Sequence, residues 1–375
     1  MIPLSDLKLT RLAAGKAIAA IETNWVSGTG PMIREFEAAL AHQVGRGNCV
    51  AVTNGTVALE LVLLALGIGP GDTVIVPALT FAAPAAAVCA VGAEPIFADI
   101  HPDHWTLDPV EVDRAIMKRR WRSNRPAAII AVDLLGHPCD WDRLLDRSRI
   151  FDIPIIEDAA EAHGAVHLPH NRQAGSFGVI STFSFHANKT IPIGEGGAVL
   201  TDNQELAERM RLIANHGMSP ERPYWHEVIG HNYRMTNVTA AIGAGQVANW
   251  DTLVAERNQV ADLYRHHLEG VPIQRRPVAP WAKEGVWLYT VASPHRDEYI
   301  KALRDAEIDA RAIWPALPDL PAYQQYVGDN QYPVARRVAA EAFWLPTFAS
   351  LQESDIARIA NIIREVSHVH EPAAG

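Results

Sequence analysis

Lysine is scarce in this chain, with six lysines against 27 arginines, and one of the six sits where an amine could do chemistry. Lys8, Lys16, Lys118, Lys283 and Lys301 read as solvated surface side chains. Lys189 instead follows the strand-like run Ser181-Thr182-Phe183-Ser184-Phe185 and precedes Gly194-Glu195-Gly196-Gly197, glycines that let backbone pass close to a bulky ligand. An amine held there is a Schiff-base candidate, and a solvated loop lysine is the plainer alternative. Ile155-Ile156-Glu157-Asp158 is a buried-strand pattern that closes in carboxylates, which sets Asp158 at the carboxyl edge of a sheet. A carboxylate there needs a cation, such as a protonated heterocycle nitrogen, unless it is an ordinary helix cap or ion-pair member. Gly55-Thr56 opens a helix directly after a strand and offers free N–H groups and a hydroxyl to an anion, or is simply a capped turn. Phe81 can stack on a flat ring or fill core.

Alternating elements position these residues. After Pro31, Ile33, Phe36, Leu40 and Val44 recur at helical spacing, which predicts a helix over 31–44. A strand over 49–52 and a helical pattern through Ala58, Leu59, Val62, Leu63 and Leu66 that stops at Gly67 come next. Further strand-like runs cover 73–76, 95–98, 127–132, 154–156, 180–185 and 198–200, with helical stretches near 80–91, 108–119, 140–148 and 203–215 between several of them. This alternation predicts an α/β domain with a mostly parallel central sheet flanked by helices, whose ligands bind beyond the carboxyl ends of strands. From 236 to 268 the pattern is helical, and the remainder is proline-punctuated. A large domain over 1–250 and a smaller one over 251–375 are expected.

Composition narrows the function classes. The 375 residues are 48% hydrophobic and 20% charged, typical of a folded globular chain. A net charge of -10 gives no general attraction to nucleic acid or anionic membrane. The weakly polar run 78–93 is broken by Thr80 and Pro84 and is too short to span a bilayer. Asp6, Lys8, Arg11 and Lys16 interrupt any apolar leader. Cys49, Cys89 and Cys139 are odd in number and widely spaced, which predicts neither disulfides nor a metal site and suits a cytoplasmic protein.

Phosphate site, ring stacker, ring-nitrogen carboxylate and imine lysine form one scheme, that of pyridoxal 5'-phosphate (PLP). At this point the sequence resembles the fold-type I PLP-dependent nucleotide-sugar aminotransferases of the DegT/StrS type, from about residue 20 to residue 365. The resemblance rests on TNGTVALELVLLALGIGPGDTVIVP (53–77), IIEDAAEAHGA (155–165), GSFGVISTFSFHANKTIPIGEGGAVLTD (175–202) and YWHEVIGHNYRMTNVTAAIGAGQ (224–246). It implies the PLP-dependent transferase fold type I with a smaller α+β C-terminal domain. It further implies that Lys189 carries PLP and acts with Asp158 in catalysis. Gly55, Thr56 and Ser184 would take the phosphate, Phe81 the ring face and Glu161, where many members have Gln, the ring hydroxyl. Asn232 matches an asparagine that reaches the PLP of a neighbouring subunit, which implies a homodimer with shared active sites.

The implied reaction moves an amino group from L-glutamate to a keto-sugar on a nucleotide. EDAAEA, STFSF and the Asn232 segment are most similar to members that aminate C4 of GDP-4-keto-6-deoxymannose to give GDP-perosamine. A dTDP- or UDP-linked keto-sugar, a keto-cyclitol, or a non-catalytic PLP-binding regulatory role are the alternatives. His186, Arg311 and Trp314 are expected at the substrate, and His163 and His186 are either proton-transfer groups or buried hydrogen-bonded histidines. Leu317 stands where the family pattern R-P-x-x-P-L-H has histidine. It either alters the pocket or belongs to the core.

Overall fold

The computed structural model describes residues 1–120, 125–328 and 330–370. The apolar runs become seven strands of one sheet: β1 (Asn48–Val52), β2 (Thr73–Pro77), β3 (Glu94–Ala98), β4 (Ala128–Val132), β5 (Ile155–Asp158), β6 (Ile180–Ser184) and β7 (Gly197–Thr201), in spatial order β1-β7-β6-β5-β4-β2-β3. Every residue of β2, β4 and β5 is buried, because helices cover both faces, and this is why Val74–Val76, Ala128–Val132 and Ile155–Ile156 are apolar without alternation. β2 pairs in parallel with β3 and β4, β4 with β5, and β5 with β6. β7 runs antiparallel to both β6 and β1. Residues 185–196 contain no helix to return the chain to the far end of the sheet, so β7 can only come back antiparallel.

The expected helices appear at Pro31–Val44, Gly55–Ala65, Ala83–Ala90, Pro109–Arg120, Trp141–Phe151, Gln204–Ala214, Asn237–Val247 and Trp250–His267. Asn54 caps Gly55–Ala65 by accepting the Val57 N–H at 2.9 Å. A helix over Arg11–Glu22 was not expected; only Ala13 and Ala20 of it are buried, while Leu12, Ile18 and Ile21 stand exposed.

The C-terminal third builds a four-stranded antiparallel sheet from Gln274–Arg275, Tyr289–Ala292, Ala342–Leu345 and Arg311–Ala312. It shares a core with the helices Trp250–His267, Arg296–Asp305 and Glu353–His370 through Tyr264, Val291, Leu303, Phe343 and Ile359. The chain's first residues cross the division expected at 250: Ile2 pairs with Ile308, and the Leu4 carbonyl accepts the Thr347 N–H at 2.8 Å. A second core joins Val76, Leu79 and Ile130 to Trp287, Leu317 and Trp344, tying the C-terminal part against the large sheet.

Candidate active site

β4, β5 and β6 end at Val132, Asp158 and Ser184, and these three residues line a cavity of about 560 Å3. Gly55, Thr56, Phe81, Glu161, His186, Lys189, Arg311 and Trp314 line it too, so residues spread over much of the chain converge at one sheet edge.

Lys189 follows β6 in a turn closed by its own N–H to the His186 carbonyl at 2.9 Å. Its side chain is buried, which disposes of the solvated-loop alternative. Nζ lies 3.8 Å from Glu161 Oε1 and 3.9 Å from the centre of the Trp287 ring. Burial lowers the Lys189 pKa against the opposing pull of Glu161 and Asp158, shifting this amine toward its neutral, nucleophilic form. Glu161 is anchored by the Leu135 N–H, which donates to Oε2 at 2.8 Å. Burial pushes its pKa up to about 7 despite the attraction of Lys189.

Asp158 Oδ1 accepts the Ala160 N–H at 3.1 Å and the Thr182 hydroxyl at 3.3 Å, and Oδ2 takes part in neither bond. Burial raises its pKa, which those two donors and Lys189 only partly oppose. Among the described residues no cation forms an ion pair with this carboxylate, and a protonated ring nitrogen would supply one. At the other end of the cavity, the N-terminus of Gly55–Ala65 lies against Ser184: a Cβ on Gly55 would come within 2.8 Å of Ser184 Cβ. A Cβ on Gly197 would likewise meet the Asn54 carbonyl oxygen at 2.3 Å. The glycine loop thus serves this backbone packing. Its Glu195, rather than its glycines, reaches the cavity, a departure from the expected close pass to a ligand. Helix N–H groups, the Thr56 and Ser184 hydroxyls, a flat-ring stacker, a buried acid and a buried amine together fit a phosphorylated aromatic aldehyde.

Phe81 is 51% exposed and lines the cavity 6.0 Å from the Trp314 ring, so it is not core. His186 shares its Nδ1 with Asn188 Oδ1 at 2.9 Å, and Arg311 is held by Asp309 at 2.7 Å. Three further residues lie outside the cavity wall, and one of them departs from expectation. His163 is fully buried against Phe183, Phe185 and Trp250, and neither ring nitrogen has a hydrogen-bond partner. Burial holds its pKa down to about 3, so it is a neutral packing residue rather than a hydrogen-bonded one. Leu317 is 1% exposed in the second core, its N–H on the Ala78 carbonyl, and is not part of the cavity wall. Asn232 does not line its own chain's cavity; it is exposed and accepts from Arg234 at 3.3 Å.

Sequence reading missed Trp287 and Trp344, which form an aromatic wall with Trp314. Trp287 stacks on Trp314 at 5.8 Å, and Trp344 meets Trp314 edge-on at 4.9 Å. No local pattern distinguishes these indoles from core tryptophans.

The sequence pattern of the DegT/DnrJ/EryC1/StrS aminotransferase family matches residues 9–364. A GDP-perosamine synthase of Caulobacter vibrioides is 37% identical, covering 97% of this chain and 100% of that protein. A dTDP-3-amino-3,4,6-trideoxy-alpha-D-glucose transaminase of Streptomyces venezuelae is 36% identical over 97% of this chain and 96% of its own. The crystal structure of S. venezuelae DesV in complex with a ketimine intermediate superimposes with a TM-score of 0.88 at 34% identity, covering 95% of this chain and 94% of that one. With this cavity and these relatives, the chain belongs to the DegT/DnrJ/EryC1/StrS aminotransferase family and is a PLP-dependent sugar aminotransferase.

Proposed function

We propose that this protein aminates C4 of GDP-4-keto-6-deoxymannose, taking the amino group from L-glutamate and giving GDP-perosamine. The observation that carries the reading is the buried Lys189–Glu161–Asp158 group at the sheet edge, facing a wall of indoles. PLP, when bound, supplies the electron sink that lets a proton leave the carbon beside an amino group. Gly55, Thr56 and Ser184 would hold its phosphate, Phe81 would cover its ring and Asp158 would keep its nitrogen protonated. Lys189, biased toward the neutral amine, would take the proton from the donor's α-carbon and return it in the second half of the cycle. Glu161 would hold a proton beside the ring hydroxyl. His186, Arg311 and Trp314 would meet the sugar nucleotide, Arg311 through its planar fork on phosphate oxygens and Trp314 by stacking.

The choice of GDP-sugar rests on the similarity to a GDP-perosamine synthase, against which the dTDP-sugar transaminase stands only one percentage point lower in identity. A homodimer with shared active sites belongs to the same proposal. Ile18, Ile21 and Trp25, and on another segment Tyr224, Trp225 and Ile229, expose apolar side chains that a second copy would cover. Asn232, turned away from its own cavity, would then serve the partner's cofactor phosphate.

The deciding experiment loads the enzyme with pyridoxamine phosphate and offers GDP-, dTDP- and UDP-linked keto-sugars and a keto-cyclitol, identifying products by mass and NMR. Rapid conversion of GDP-4-keto-6-deoxymannose to the 4-amino sugar is expected. Preference for another nucleotide, or amination at C3, overturns the substrate, and no turnover with any of them favours a regulatory PLP-binding role.

A further inference from the structure

A second cavity, of about 520 Å3, is lined by none of the residues assigned above to cofactor or substrate. Leu135, whose N–H anchors Glu161, lines it, and Leu288 lines both cavities, so the two are neighbours. In a chain of net charge -10, this wall sets Arg265, Arg275 and Arg276 against a single carboxylate, Glu284. That carboxylate is shared: Oε1 pairs with Arg276, and Oε2 accepts from Arg265 at 3.1 Å. Arg276 is buried, yet its Nη1 has no hydrogen-bond partner. Burial, with Arg265 adding to it, pulls the Arg276 pKa down to about 9. Among the described residues Arg275 forms no ion pair, and it stands exposed on the rim. A buried guanidinium that shares its paired carboxylate with a second arginine and leaves one nitrogen unpartnered is costly to retain, and a planar guanidinium cluster matches phosphate oxygens.

We propose that this cavity is a binding site for a small phosphate-class anion, such as free diphosphate or the diphosphate end of a nucleotide, held by Arg275 with Arg265 and Arg276 behind it. The site is independent of the one that takes the sugar nucleotide. The anion would give the unpartnered Nη1 of Arg276 an acceptor and Arg275 a counter-charge, while Arg265 is already paired with Asp262 as well as Glu284.

Calorimetric titration of the PLP-loaded enzyme with pyrophosphate at fixed ionic strength tests this. Saturable binding is expected, weakened about tenfold or more by Arg275→Gln, a fold-change of about 1.4 kcal/mol per power of ten. Because Arg275 is exposed, that variant keeps its fold. Glu284→Gln removes the internal competitor and should tighten binding, whereas Arg311→Gln, in the other cavity, should leave it unchanged. Competition in the Arg311→Gln background separates the two sources: displacement of pyrophosphate by GDP marks a nucleotide end as the occupant, and failure to displace marks the free anion. Absence of saturable binding, or binding lost in Arg311→Gln but kept in Arg275→Gln, overturns the proposal.

Discussion

On the sheet side of the catalytic cavity stand Asp158, Glu161, Ser184 and Lys189, and on the C-terminal side stand Trp287, Trp314 and Trp344. The first wall is polar and titratable: each acid is anchored by a backbone N–H, and the amine is displaced by burial toward its neutral form. The second wall has no group that titrates near neutrality and presents flat, rigid surface. Electrostatics depends on where a proton sits, whereas indole contact depends on shape and apolar area. Changes on the sheet side are therefore expected in the chemical step, and changes on the tryptophan side in binding.

The largest effect should come from Lys189→Ala, which removes the amine that moves the proton. We expect turnover to fall by at least about four powers of ten, near 5 to 6 kcal/mol of barrier, and borohydride to stop fixing PLP to the protein. Near-normal turnover by this variant would end the division of labour between the walls.

Glu161 gives an intermediate effect that needs no substrate. Its pKa is raised from 4.5 to about 7 in the fold, so its contribution to stability is present below pH 4.5 and lost as pH rises to about 7. Between pH 4.5 and 7.5, denaturant unfolding of the cofactor-free protein should show a fall in stability that is about 1 to 3 kcal/mol smaller in Glu161→Gln. Equal slopes in the two proteins would show that another group carries the charge.

Trp314→Ala should be the mildest. Removing a half-buried stacking surface should raise KM for the sugar nucleotide about tenfold, near 1.4 kcal/mol, with kcat within a few-fold of wild type. A loss confined to kcat would blur the contrast by giving the aromatic wall a part in the chemical step.

The cofactor end of the site was open to reading because its residues sit at the ends of local elements. Asp158 closes a strand, Gly55 and Thr56 open a helix and Lys189 follows a strand, and hydrophobic runs and turn residues reveal such places without knowledge of the rest of the chain. The substrate end was read less well. Leu317 occupies a position that family likeness set beside the sugar nucleotide, yet its segment docks on the Ala78 carbonyl and turns the side chain into core. His163, near the cofactor residues Asp158 and Glu161 in the sequence, is driven among aromatic rings instead.

By itself the amino-acid sequence determined the seven strands, the helices that cover them and the edge at which Asp158, Ser184 and Lys189 emerge, because apolar periodicity and turn chemistry act over a few residues. It also determined family membership, through segments that run nearly the length of the chain. Only the tertiary structure decided that three tryptophans from separate C-terminal segments form one wall of the cavity that holds Lys189, that Gly197 is needed for the approach of Asn54, and that Arg265, Arg275 and Arg276 line one second cavity. Each of those depends on contacts between residues far apart in the chain, whose meeting is fixed by how the small antiparallel sheet packs against the large one and not by any local pattern.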